Sequence, residues 1–325
     1  MSSTRNEIIK ILSSNNDQYI SGQQISNSLH ISRSAVWKHM NELKKDGYEI
    51  ESKPRLGYRI IRKPEKLSAN TLSWGLKTHT IGKKFIHYES IPSTQKLAHE
   101  LAIDGAKHGT IIVADEQTEG RGRLGRKWES LKGDTISMSF ILRPHILPYV
   151  APQLTLLTAT VIAEVIEKVS HLQPKIKWPN DILINDKKIC GILTEMHAEQ
   201  DQVVYVVIGI GMNMNQNDEQ LFKNEHYQAT SLKNETSESW DIKHFIQHIV
   251  EHFEVAYEQF MEIGFSNIKN KWEHYGFKMN EIVHYTVGKE ERRGRFLGIA
   301  EDGALLMKQA SGQVEKIYSA EISWF

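Results

Sequence analysis

Cysteine occurs once in 325 residues, at Cys190. That excludes an internal disulfide framework and fits a reducing cytosol. Long apolar runs are also missing: no uninterrupted stretch approaches the roughly 18–20 residues of a membrane span, so no membrane partner is expected. The N-terminal MSSTRNEIIKIL lacks the charged, apolar, then small-residue order of a secretory signal. Net charge is absent overall, with 40 Lys+Arg against 40 Asp+Glu, but it is unevenly spread. Residues 1–66 carry 12 Lys/Arg against 7 Asp/Glu, a balance of +5, and the other 259 carry 28 against 33, a balance of −5. A basic head on a mildly acidic body directs any polyanionic partner to the head, although chance clustering would explain charge alone equally well. This length implies two or three domains, and 40% hydrophobic with 25% charged residues is the composition of an ordinary soluble protein.

The head reads as two short helices, a tight turn and a longer helix. Ile8, Ile11 and Leu12 form one apolar face, and Ser21 is placed to cap a second helix through Ile25 and Leu29. Ser32 caps a third, in which Val36, Met40 and Leu43 recur at core spacing and Gly47 ends the run. Its other side carries Arg33, Ser34, Trp37, Lys38 and Asn41, and the candidate DNA contacts at its start are Ser32, Arg33, Ser34, Trp37 and Lys38. Two short strands follow, 48–52 and 57–61, with Arg55 near the tip between them. A helix-turn-helix followed by a basic hairpin predicts a winged DNA-reading module: Arg33 and Lys38 suit phosphates or guanine edges, and Arg55 suits a minor groove. A protein-interaction module of the same shape is the alternative.

After the charged, proline-containing join at 62–66, strands alternate with helices. Strands are expected at 110–114, 135–142, 175–178, 181–184, 188–196 and 203–210, with a helix over 153–170. The short polar turns between 175 and 210 make the sheet mixed rather than doubly wound. Residues 277–325 show close-spaced short strands with glycine turns, as in a small barrel. The chain is thus expected to be an α+β multidomain protein, divided at 1–65, 66–276 and 277–325. His244, His248 and His252 share a helical flank, but no zinc-site pattern accompanies them, so they read as a solvated stripe and no protein metal site is expected.

Gly120–Arg126 (GRGRLGR) places three glycines beside three arginines. Glycine lets backbone approach a ligand and arginine supplies forked donors for phosphate oxygens, yet such a segment alone is equally a mobile arginine–glycine loop. It is neither a P-loop nor a dinucleotide fingerprint. Lys188 alone reads as a solvated hairpin lysine, Trp178-Pro179 as packing at a strand end, and Gly209 and Gly211 as a bulge or sharp turn. Together with Ser93-Thr94-Gln95, Gln117, KWPND at 177–181, KICGIL at 188–193 and GIGMN at 209–213, the set changes meaning. In this order these motifs resemble the biotin–protein ligases, and with the winged head the chain resembles the bifunctional biotin ligase and biotin-operon repressor family from about residue 5 to the C-terminus.

That resemblance implies an ATP-dependent, adenylate-forming ligase with an SH3-like C-terminal cap. It uses ATP, biotin and Mg2+, modifies a lysine of a biotin carboxyl carrier domain, and binds operator DNA as a homodimer with biotinoyl-AMP as corepressor. Ser93, Thr94, Gln95, Gln117, Gly120, Arg121, Gly122 and Arg123 match the biotin pocket and adenylate loop, with Gly191 and Gly211 beside them. Lys188 is similar to the lysine that bridges the biotin carboxylate and the α-phosphate; Trp128 and Asn213 match positions that stack on and hydrogen-bond to adenine. Lys188, Arg123 and Asp181 would be the catalytic group, Asp181 as a base for the incoming lysine or as a holder of magnesium and structure. A carboxylate is a poor electrophile until it becomes a mixed anhydride, and forming one brings two anions together, which requires cations. The chain departs from the family pattern at Gln95, where asparagine is common, at Leu124 in the arginine loop, and at Ser319–Ile322, expected to be a looser turn. The rival readings are a metabolite-sensing repressor without catalysis and a ligase for lipoate.

Overall fold

The computed structural model describes residues 4–14, 18–62, 64, 66–221, 223–224 and 227–323, so Lys63 and Glu65 of the expected join lie outside the described residues. It divides into two compact units, Met1–Lys77 and Thr78–Phe325.

In the first unit, α1 (Thr4–Ser13), α2 (Gly22–Leu29) and α3 (Arg33–Lys45) precede the antiparallel pair β1 (Glu49–Lys53) and β2 (Gly57–Arg62). Ser21 and Gln24 close a capping box on α2, and His30 ends that helix in the left-handed region, φ 52°, which makes the tight turn. Ser32 Oγ then accepts from Ala35 N at 3.1 Å to start α3. Ile8, Ile25, Val36, Met40 and Leu43 form the buried core. Ile20 pairs with Tyr58 as a short third strand, and a Cβ at Gly57 would lie 2.0 Å from Ile20 O, so only glycine permits that approach. The unit continues through α4 (Ala69–Ser73) to Trp74, whose ring lies 6.5 Å from Tyr48.

The second unit is built on a seven-stranded sheet in the order β3-β4-β5-β9-β8-β7-β6. These strands are β3 (Lys84–Tyr88), β4 (Thr110–Ala114), β5 (Thr135–Leu142), β6 (Lys175–Lys177), β7 (Asp181–Ile184), β8 (Lys187–Glu199) and β9 (Gln202–Asn213). β3 and β4 are parallel and the other neighbours antiparallel, the mixed sheet expected. Helices cover both faces. On one, α5 (Thr94–Ile103) packs Ala98 and Ala102 on Ile112, Ile141 and Val207; on the other, Phe140 meets Phe253 of α8 (Ile242–Ile263) at 4.7 Å. β5 is buried along its whole length, the polar Thr135, Ser137 and Ser139 of one face included, although they alternate with Ile136, Met138 and Phe140 of the other. The helix α6 (Gln153–Ser170) belongs to a segment, Pro148–Ser170, with the length and mean hydropathy (1.5) of a membrane span, but 72% of that apolar window is buried inside the protein, as in a core helix.

A short pair, β10 (Lys223–Asn224) and β11 (Tyr227–Gln228), α7 (Leu232–Thr236) and α9 (Ser266–Tyr275) complete this part. Five antiparallel strands follow in the order β15-β14-β13-β12-β16: β12 (Ile282–Val287), β13 (Glu290–Ile299), β14 (Leu305–Lys308), β15 (Val314–Ile317) and β16 (Glu321–Ser323). They form the small SH3-like cap. Phe277 N donates to Ile176 O at 2.9 Å and Trp178 Nε1 to Gly303 O at 3.4 Å, tying the cap to the end of β6. Within Ser319–Ile322, where a looser turn was expected, a bend at Tyr318 and Ser319 leads through Ala320 into β16, which pairs with β12.

Candidate active site

Strand register lays down a floor of small residues. Ser137 and Ser139 of β5 pair with Gly211 and Gly209 of β9, which pair in turn with Gly191 and Leu193 of β8. Alternation puts all six on the face that carries α5. α5 covers that face only over its apolar part, and above the small residues lies a cavity of about 610 Å³.

One wall is neutral and polar. Ser93 caps α5, and Gln117 Oε1 accepts from both Thr94 N (2.8 Å) and Thr94 Oγ1 (3.0 Å). Thr94 and Ser139 hydroxyls are 2.9 Å apart, and Ser139 donates to Gln95 Oε1 at 3.1 Å. Gln95 Nε2 donates to Glu195 at 2.8 Å and to the Leu193 and Val207 carbonyls at 3.4 Å each, rather than to the cavity.

The rest of the lining is largely cationic. The arginine loop closes as a hairpin: Gly122 N donates to Arg126 O (2.7 Å) and Trp128 N to Gly120 O (2.9 Å), with Leu124 at the exposed tip in the left-handed region. Arg123 Nη1 donates to Asn180 Oδ1 at 2.9 Å, and Lys188 Nζ lies 2.8 Å from Asp181 Oδ1. Six cations border the cavity, Arg121, Arg123, Arg126, Lys127, Lys177 and Lys188, against a lone carboxylate, Asp181, among the described residues. Burial pulls Arg123 and Lys177 below their ordinary values, and Asp181 opposes it in both. So many cations around one carboxylate suit a phosphate-bearing ligand. The Trp128 indole lies on the glycine floor; a Cβ at Gly211 would be 2.3 Å from it. Its Nε1 is buried with no hydrogen-bond partner among the described residues.

Of the residues singled out in the sequence, Ser93, Thr94, Gln95, Gln117, Arg121, Gly122, Arg123, Trp128, Asp181, Lys188, Gly191 and Gly211 all border the cavity. Gly120 does not: it serves loop closure, where a Cβ would be 2.5 Å from Trp128 O. Asn213 lies instead on a pocket of about 40 Å³ that shares Trp128 and Lys188, its amide held by Thr230 O (3.0 Å) and Gln216 Nε2 (2.9 Å). Sequence reasoning assigned no individual role to Lys177, Asn180 or Ser139, and gave Arg126 one only as a member of the arginine loop. Two serines on one face of the otherwise apolar strand 135–142 were the available signal for Ser139. Thr286, Ala320 and Ile322 of the cap also border the cavity, and no local pattern marks them. In the first unit, Ser32, Arg33, Ser34, Trp37 and Lys38 are all exposed at the start of α3, with Trp37 61% exposed, and Arg55 sits in the β1–β2 turn with φ 66°.

Residues 87–213 match the biotin/lipoate A/B protein ligase family, residues 4–59 an HTH domain and residues 279–324 the biotin protein ligase C-terminal domain. The bifunctional ligase/repressor BirA of Bacillus spizizenii is 47% identical over 321 residues, 99% of this chain and 98% of that protein. The Bacillus subtilis protein of the same name is 46% identical over the same shares. Among solved structures, the biotin protein ligase from Aquifex aeolicus in complex with biotin and ATP superimposes with a TM-score of 0.63 at 31% identity, over 74% of this chain and 98% of that one. A helix-turn-helix head, a ligase sheet with its cationic cavity and a C-terminal cap, matched over nearly the whole length, place this chain in the family of bifunctional biotin–protein ligases and repressors.

Proposed function

We propose that this chain condenses biotin with ATP to biotinoyl-5'-AMP, transfers the biotinoyl group to a lysine of a biotin carboxyl carrier domain, and represses transcription as an adenylate-bound homodimer on operator DNA. The observation that carries the ligase reading is a cavity lined both by a neutral polar cluster at the start of α5 and by six cations. The neutral cluster suits biotin's ring and the cations suit the nucleotide phosphates. Lys188, and Arg123 held by Asn180, would face the biotin carboxylate and the α-phosphate together. The carboxylate oxygen bonds to the α-phosphorus as pyrophosphate leaves, and the cations offset the charge gathered there. The acceptor lysine amine then attacks the carbonyl carbon and AMP departs. Asp181 would orient Lys188 or take the amine's proton. Trp128 would stack on adenine, and Asn213 would reach it only by giving up its present partners.

The described residues hold no group of three or more His, Cys, Asp or Glu suited to a metal ion. A single carboxylate fits magnesium arriving with the nucleotide, since Mg2+ is commonly held by one or two carboxylates plus phosphates. Asp181 would meet it, and the ion would supply further charge neutralisation. The functions would divide along the chain as DNA binding in 1–65, ligation in 66–276 and the cap in 277–325, in the cytoplasm.

The test is ATP–pyrophosphate exchange by the purified full chain with biotin or with lipoate. Exchange with biotin alone is expected. Tight biotin binding without exchange would make the chain a sensor, and exchange with lipoate would reassign the substrate. For the head, Arg33→Ala and Lys38→Ala are each expected to weaken binding to a random-sequence duplex and to lower its log–log salt slope by roughly one, leaving exchange unchanged. An unaltered slope, measured by fluorescence anisotropy across a salt series, would take α3 off the phosphates.

A further inference from the structure

Gln95 and His99 stand one turn apart on α5 and reach the same atom of β8. Gln95 Nε2 donates to Glu195 Oε2 at 2.8 Å, and His99 Nε2 lies 3.2 Å from that oxygen. His99 is held in turn by Tyr205, with Nδ1 3.4 Å from the phenol oxygen and the rings edge-on at 5.6 Å. The His99 contact, with Gln95 adding to it, keeps the Glu195 carboxyl below the usual range, so it is ionised at neutral pH. Glu195 does not border the cavity and its side chain is 48% exposed, so it acts on a ligand only through Gln95.

A carboxylate accepts hydrogen bonds and cannot donate, so Glu195, the nearest of three acceptors that include Leu193 O and Val207 O at 3.4 Å each, holds the nitrogen end of the Gln95 amide. Oε1 must then face Ser139, whose single hydroxyl proton is placed between it, at 3.1 Å, and Thr94 Oγ1, at 2.9 Å, the Thr94 proton being given to Gln117. Gly209 makes room for this: a Cβ there would be 2.5 Å from Gln95 Oε1. With its proton committed, the Ser139 oxygen on the cavity floor offers lone pairs. We propose that Glu195 is a positioning residue that sets the donor–acceptor polarity of this floor, locking Gln95 so that Ser139 accepts from a ligand ring carrying N–H groups. The inference rests on the cavity being the biotin site: biotin's cyclic urea has two N–H donors, and the dithiolane ring of lipoate has none.

In steady-state pyrophosphate exchange with the full chain, Glu195→Ala is expected to raise KM for biotin about tenfold, the loss of one charge-assisted hydrogen bond, with kcat held within about twofold. Inhibition by lipoate should not change. Glu195→Gln, which can still present an oxygen to Gln95, should recover most of the affinity. In a Gln95→Ala background, Glu195→Ala should add less than about twofold, because the route is already cut. An unchanged KM in Glu195→Ala, a full tenfold rise on top of Gln95→Ala, or parallel losses of kcat and melting temperature would each overturn the proposal. A wild-type chain that shows no exchange with biotin would instead remove the ligase reading beneath it.

Discussion

Replacing Lys188 by alanine is expected to lower biotin-dependent pyrophosphate exchange by about 10²–10³-fold, with biotin binding reduced far less. Two effects act in the same direction. The substitution removes the cation placed where a carboxylate and an α-phosphate must approach each other, and that repulsion is greatest in the transition state, so the loss falls on kcat. It also removes the nearest cation of Asp181, 2.8 Å from Lys188 Nζ and 18% exposed, leaving that carboxylate to Arg123 and Lys177. Anionic phosphates would then meet a weaker attraction at this point of the wall. Lys188→Arg restores charge but brings a planar fork in place of a compact ammonium, so partial recovery is expected. Single-turnover adenylate formation, with biotin titrated separately, distinguishes the two terms. A normal rate in Lys188→Ala would remove this residue from the chemistry.

The second large effect is on stability, at a residue with no catalytic part. Glu254 on α8 is 4% exposed, and its carboxylate accepts three successive backbone N–H groups, from His79 (2.6 Å), Thr80 (2.6 Å) and Ile81 (2.7 Å). This segment leads into β3, and it is clamped from the other side by Gly109, where a Cβ would lie 2.5 Å from Thr80 O. Glu254→Ala would leave three donors unpaired in a site too closely packed to hydrate freely. A loss of about 3–5 kcal/mol is expected. Glu254→Gln keeps one acceptor oxygen but turns an NH2 toward an N–H donor, so it should cost roughly half as much. Urea unfolding followed by tryptophan fluorescence measures both. A loss below about 1 kcal/mol in Glu254→Ala would mean that water replaces the carboxylate.

Glu254 also shows where reading by pattern stops. It occurs in a helix whose apolar spacing, through Phe245, Ile249, Phe253 and Phe260, was legible; its partners are nearly 175 residues earlier in the chain. Periodicity reports that a side chain faces inward, not which backbone it meets there. α4, α9 and β3 were missed for a related reason. α4 is only five residues long, and the amphipathic pattern of a ten-residue α9 is diluted by Asn267, Lys269 and Asn270. Their helicity is settled by packing, which the local sequence does not display.

What the sequence determined by itself was the set of elements with strong local signals, and the chemistry that its motifs imply. The Ser21 and Ser32 caps, the apolar stripe of α3, the alternation of β5 to β9 and the long apolar α6 all depend on residues within a few positions of one another. The arginine loop, KWPND, Lys188 and the Ser-Thr-Gln start of α5 were recognisable as a set because each motif is contiguous. Only the tertiary structure decided how those pieces meet. Strand register brought Gly191, Gly209, Gly211 and Ser139 onto one floor. Closure of the cap carried Thr286, Ala320 and Ile322 to the cavity. Closure of the arginine loop kept Gly120 off the cavity wall, Thr230 and Gln216 hold Asn213 outside it, and Glu195 of β8 holds the amide nitrogen of Gln95. A hydrogen bond or a van der Waals contact acts over a few ångströms of space, whatever the distance along the chain. Contacts between remote segments are therefore set by how the whole sheet and its helices pack, and no local pattern encodes them.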